Sequence, residues 1–278
     1  MGANIIDLLN IFLLVFSLLI AILLPFETFL FAYAILGPLH YLTEINWLNN
    51  RSYFAKGKNQ VWILILLTFL ISIPTLTYGL FVLEDNSLVH RMVKPLQQIS
   101  SELILISFIT SIGLVYLHKR TQLIPLLLFA LGLTYFIRSL PFYSVLIGVF
   151  LPTLVHVYLF TLAFMLHGVL KRKNIMGILS FTLALFCPLI IFLLPAEWSV
   201  GMTDETVVSK YLESNLKHLS ITIAGLFTNK ETSPEKLMVS KVGIQIQTFI
   251  AFAYLYHYLN WFSKISIIGW LKSTSGKN

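Results

Sequence analysis

Charge is scarce in this chain. Asp, Glu, Lys and Arg make up 11% of its 278 residues, where soluble globular domains carry roughly 25%, so there are too few charges to coat a water-facing surface. Cysteine is almost missing: Cys187 stands alone, which excludes an intrachain disulfide and any cysteine-based metal cluster. Acidic residues are outnumbered, 12 against 19 basic ones, for a net charge of +7. That excess does not point to nucleic acid, because the basic residues stand in short clusters between apolar runs, as the positive-inside bias expects. No Lys or Arg precedes Arg51, and the first apolar run outlasts the h-region of a signal peptide, so a retained first helix is expected. Common catalytic signatures are also absent: no Walker A loop, dinucleotide glycine fingerprint, Gly-x-Ser-x-Gly elbow or His-Glu-x-x-His. The absence of His-x-x-His-His boxes argues against an ordinary membrane desaturase.

What is present in quantity is hydrophobic sequence, 57% of residues with a mean hydropathy of +0.84. A bilayer crossing needs about 20 mostly apolar residues, and the runs fit an all-α, polytopic transmembrane helix bundle of about eight spans. They fall near 5–25, 28–48, 61–83, 102–118, 122–138, 147–170, 174–195 and 243–263, within a single integral membrane domain over 1–278. Pro141 is expected to mark a turn. Pro38, Pro74, Pro125, Pro152 and Pro188 fall in or at the ends of spans, where each removes a backbone donor.

Charge placement predicts an orientation with both termini cytoplasmic. The cytoplasmic connections then hold Arg51, Lys56 and Lys58, then Lys119 and Arg120, then Lys171, Arg172 and Lys173, with Lys264, Lys272 and Lys277 in the C-terminal tail. The other side receives Glu84 and Asp85, and a long mixed-charge loop over 196–240. From Asp204 to Phe227 the loop's apolar residues recur at helical spacing, consistent with an amphipathic helix on the membrane surface or with a loosely ordered loop. A multi-pass protein of a bacterial cytoplasmic membrane is the expected setting.

Polar groups at bilayer depth are costly, and each is a functional candidate. In the second span, His40 and Glu44 lie four residues apart on one helical face. They can share a metal ion, the carboxylate can orient the imidazole, or the pair can join helices by its own hydrogen bond. In the sixth span, His156 lies near mid-membrane, and His167 follows about three turns later near the interface. The eighth span carries His257 with Tyr258, Asn260 and Trp261. These three spans run in the same direction, so His40, His156 and His257 fall at comparable depth. Neutral imidazole is a common metal ligand, and three imidazoles with a carboxylate suit iron or zinc. His90, His118 and His218 are read as solvated, and Arg138 as snorkelling.

The stretch Gly37-Pro38-Leu39-His40-Tyr41-Leu42-Thr43-Glu44 resembles the Gly-x-x-His-Gly-x-x-Asp motif of the bacterial Brp/Blh family of membrane β-carotene 15,15'-dioxygenases. Tyr41 replaces the second Gly and Glu44 the Asp. The span around His156 and His167 is similar to a late His-bearing span of that family, and His257 to its final histidine. A family histidine in an early middle span has no counterpart between Val61 and Leu83. The resemblance implies an all-helical membrane enzyme in which histidines hold non-haem iron and dioxygen cleaves a carotenoid.

Together these readings lead to an intramembrane metal-dependent oxygenase acting on a lipophilic substrate, an isoprenoid or an acyl lipid, with bilayer lipid as its surroundings. His40, His156 and His257 are the expected metal ligands, with His167 as a further candidate. Glu44 is a fourth ligand or orienter, and Tyr41, Tyr258 and Asn260 line the pocket. Non-haem iron is the expected metal and zinc the alternative. Competing readings are a zinc-dependent lipid hydrolase, a transporter with a His/Glu proton relay, and a haem-binding membrane subunit.

Overall fold

The computed structural model describes residues 3–50, 58–81, 87–117, 119–140, 143–195, 198, 205–213, 216–228 and 233–274. Of the residues weighed above, Arg51, Lys56, Glu84, Asp85, His118, Pro141, Asp204 and Lys277 lie outside them. The regular elements among the described residues are all helical, with no strand. The helices are α1 (Ala3–Leu23), α2 (Pro25–Phe31), α3 (Gly37–Asn50), α4 (Lys58–Leu80), α5 (Leu88–Gln98), α6 (Ser100–Tyr116), α7 (Leu123–Ile137), α8 (Phe160–Arg172), α9 (Ile175–Leu193), α10 (Glu205–Glu213), α11 (Lys217–Ala224), α12 (Pro234–Met238) and α13 (Lys241–Thr274). A π-helical turn, Ala32–Leu36, joins α2 to α3, and a longer π-helical segment, Leu146–Leu159, leads into α8. The chain forms two compact units, one from Met1–Trp47 with Thr153–Asn278, the other from Leu48–Pro152.

In the first unit α13 is the central rod. It packs against α1, α2, the π turn, α9 and α11, and Phe249 is the only residue from Gly243 to Tyr256 that is not fully buried. Lipid tails are as apolar as leucine, so packing inside a membrane relies on shape and interhelical hydrogen bonds more than on burial of apolar surface. The polar residues of α13 make such bonds. Gln245 Nε2 donates to the carbonyls of Phe192 at 3.0 Å and Leu194 at 3.3 Å, capping the end of α9. Gln247 Nε2 donates to Pro25 O at 3.2 Å, while its Oε1 lies 3.0 Å from Tyr211 Oη and 2.6 Å from Ser220 Oγ. Those contacts dock α10 and α11 onto the bundle. Burial pushes the Tyr211 phenol up to about 12, against the opposing pull of its hydrogen bonds with Ser220 and Gln247. The helical region expected from Asp204 to Phe227 is thus two short helices whose inner residues Tyr211, Ile223 and Ala224 face protein.

The other end of this unit is tied by α1. Asp7 is buried and accepts from Arg172 Nη2 at 3.0 Å and Asn174 Nδ2 at 2.6 Å. Asn10 Oδ1 accepts from Ser263 Oγ at 2.7 Å. Between α8 and α9 the chain reverses sharply: Lys173 is left-handed with φ 49°, and Asn174 caps α9 by accepting from Gly177 N at 2.8 Å. In the second unit α4, α6 and α7 pack around Leu67, Leu103, Ile106 and Ala130, with a neighbouring cluster of Leu105, Tyr143 and Ile147. His90, expected in a loop, is partly buried on α5, with Tyr78 Oη 3.4 Å from its Nδ1.

Among the described residues, four helices are long and apolar enough to cross a membrane: Ile5–Leu23, Val61–Leu80, Thr153–Arg172 and Ile175–Leu193. A fifth crossing results if α5 and α6, bent by 53° at their junction, act as one. The chain therefore reads as an integral membrane protein with four to five candidate spans, fewer than the eight expected. The shortfall has local causes. α7 has 15 residues, short of a full crossing. The expected second span is divided by the π turn, Ala32–Leu36, into α2 of 7 residues and α3 of 14. α13 is long enough at 34 residues but is the polar, protein-facing centre of its unit.

Candidate metal centre

The polar face of α3 begins at the π turn. Gly37 N–H donates to Ala32 O, five residues back, and Pro38 has no N–H to continue the α-helical ladder. A Cβ on Gly37 would lie 3.2 Å from Tyr258 Oη, so glycine lets α3 approach α13 closely. One turn on, His40 is buried at 1% exposure. Its ring stands 4.8 Å from that of His257 on α13 and 4.9 Å from the indole of Trp261, centroid to centroid. Trp261 is fixed in turn by its Nε1–H, which donates to Thr43 Oγ1 at 3.0 Å.

The third imidazole arrives on the π-helical segment that runs into α8. His156 is partly buried, with its ring 5.4 Å from that of His257. π-Helical turns are over-represented at functional sites, and here both π segments adjoin a histidine of the cluster. The ligand nitrogens of His40, His156 and His257 all lie within 4.8 Å of one another. An ion about 2.1 Å from each nitrogen sets tetrahedral nitrogens about 3.4 Å apart, so the widest pair must close by roughly 1.4 Å, within the reach of side-chain rotations.

The donor set fits a metal on independent grounds. Both ring nitrogens of His40 and the Nε2 of His257 are buried without a hydrogen-bond partner, an arrangement that is costly unless something binds them. Glu44 Oε2 lies 3.3 Å from His40 Nε2, an ion-pair contact one turn along α3 that sets a carboxylate beside the cluster, while His40 Nδ1 has no partner. His257 Nδ1 is held by Thr161 Oγ1 at 2.8 Å.

Other expected site residues are placed as follows. Tyr258 is buried with its ring 5.2 Å from His40. The Tyr41 ring lies 5.5 Å from that of His40, tilted 57° to it, but is 54% exposed, so it flanks the cluster on its outer side. Asn260 is buried one turn beyond His257, with its Oδ1 lacking a partner. His167 is exposed on α8 and is not one of the clustered histidines. Thr161 was not picked out in the sequence. A threonine in an apolar helix satisfies itself by bonding the carbonyl four residues back, as Thr161 does with Val157, and so carries no signal. Comparison with protein-family models, curated proteins and solved structures gives no match to this chain.

Proposed function

We propose that the protein is an intramembrane metal-dependent oxygenase acting on a lipophilic substrate, with non-haem iron held by His40, His156 and His257. The observation that carries this reading is the convergence of three imidazoles from three chain segments, with two of them offering buried, unpaired nitrogens. Bound iron would supply dioxygen activation there. Glu44 then serves as a fourth ligand or orients His40. Tyr258 and Tyr41 form apolar walls with polar tips, and Asn260 adds a buried polar group on the same helix as His257. Exposed Leu39, Tyr41 and Leu42 on α3 put apolar surface next to the cluster, which suits a substrate that stays in the lipid. The likeness of Gly37–Glu44 to the Brp/Blh motif favours an isoprenoid or carotenoid over an acyl chain. The eight-crossing arrangement with both termini cytoplasmic belongs to the same proposal and rests on the Lys/Arg bias of the connections.

A zinc-dependent lipid hydrolase is the second reading, favoured by Glu44 beside the imidazoles, where a carboxylate can act as a base. Detergent-purified protein separates the two. Oxygenase chemistry requires iron in the preparation and dioxygen consumption on adding a carotenoid in mixed micelles. Zinc in place of iron, with no oxygen uptake, overturns the oxygenase reading.

A further inference from the structure

We infer that Thr161 is the residue that sets the tautomer and aim of His257, an inference that rests on the metal-centre reading above. Thr161 Oγ1 has two close partners, Val157 O at 2.7 Å and His257 Nδ1 at 2.8 Å. The hydroxyl has one proton to give, and the Val157 carbonyl can only accept. The proton therefore goes to Val157, and the Thr161 oxygen accepts from His257 Nδ1–H. The opposite assignment, with Thr161 donating to Nδ1, leaves two oxygens 2.7 Å apart with no proton between them.

With Nδ1 protonated, neutral His257 carries its free lone pair on Nε2. That atom is buried and lacks a partner, and His257 is one of the three clustered imidazoles, so Nε2 is in the form a metal ion requires. The chain Val157 carbonyl, Thr161 hydroxyl, His257 Nδ1–H does the work that a carboxylate or a backbone carbonyl does behind many metal-bound histidines. It also couples two segments: Val157 and His156 are adjacent on the π-helical stretch, so the element that presents one ligand also fixes the orientation of the next. Thr161 is a positioning residue and touches neither metal nor substrate.

Two substitutions separate this role from packing. Thr161→Val keeps the side chain's shape and loses the hydroxyl; Thr161→Ser keeps the hydroxyl and loses a methyl. Metal-stripped, detergent-purified protein is titrated with cobalt(II), following affinity by chelator competition and the visible d–d absorption. Removing the partner of a metal-bound histidine costs about 10–100-fold in affinity, so Thr161→Val should bind cobalt weaker by that factor and with an altered d–d band, while Thr161→Ser stays close to wild type. Where the valine variant does not fold, Thr161→Ala replaces it. Valine binding as tightly as wild type, or serine weaker than valine, overturns the role of Thr161 and leaves the metal centre standing. Wild-type protein that takes up no cobalt overturns the metal centre itself.

Discussion

Replacing Asp7 by leucine should loosen the end of the first unit where α1 meets the α8–α9 hairpin. The carboxylate is 5% exposed and accepts from two donors, Arg172 at 3.0 Å and Asn174 at 2.6 Å. Hydrogen bonds to a charged group contribute roughly 1.5–3 kcal/mol each. The Arg172 side chain is 38% exposed and recovers water when its partner is lost, which reduces its share by about half. Asn174 is less able to compensate, since its own oxygen is already engaged in capping Gly177. The expected loss is about 2–4 kcal/mol, or a fall in thermal midpoint of roughly 4–8 °C for a chain of this size. Asp7→Asn keeps the shape and one acceptor oxygen and should lie between wild type and leucine. Thermal unfolding of the purified protein, followed by helical circular dichroism, measures the series. A leucine variant with an unchanged or higher midpoint would refute the assignment of Asp7 as the tie.

Gly37→Ala brings a Cβ to 3.2 Å from Tyr258 Oη and should destabilise by about 1–3 kcal/mol through overpacking; Tyr258→Phe removes the obstructing atom and should relieve most of that cost. Purely additive effects of the two changes in thermal unfolding would show that the close approach is unimportant. Gln247→Leu removes the acceptor for Tyr211 and Ser220 and the donor to Pro25, at about 1–3 kcal/mol for the groups left unpaired. Limited proteolysis should then cut faster in the 205–233 region, and an unchanged rate counts against the docking role. Glu44→Gln should weaken metal binding by less than any of the three His→Ala changes, and an affinity equal to wild type would remove Glu44 from the centre.

How much was legible before the fold was known follows from where each residue faces. α1, α4 and α9 are apolar and exposed over much of their surface, so their sequences announce them as candidate crossings. α13 hides its length behind Gln245, Gln247, His257 and Asn260, polar residues that a protein-surrounded helix accommodates and a lipid-facing one would not. Its histidine pointed to the site, while its place at the centre of the unit was invisible to hydropathy. The expected grouping of His40, His156 and His257 coincides with the imidazole cluster of the structure. The depth argument could not exclude His167, which shares a helical stripe with His156 but emerges at the surface. The π turns that aim His40 and His156 depend on backbone register, which Pro38 and Pro152 hint at without specifying. Thr161 needed coordinates, because its bond to Val157 makes it look self-contained.

Metal analysis of protein purified anaerobically in detergent tests the central claim most directly. The account predicts about one iron per chain, as expected for a single preformed site, lost in both His40→Ala and His257→Ala while each variant keeps its helical circular dichroism. Folded wild-type protein that neither retains nor takes up iron or any other transition metal would contradict it.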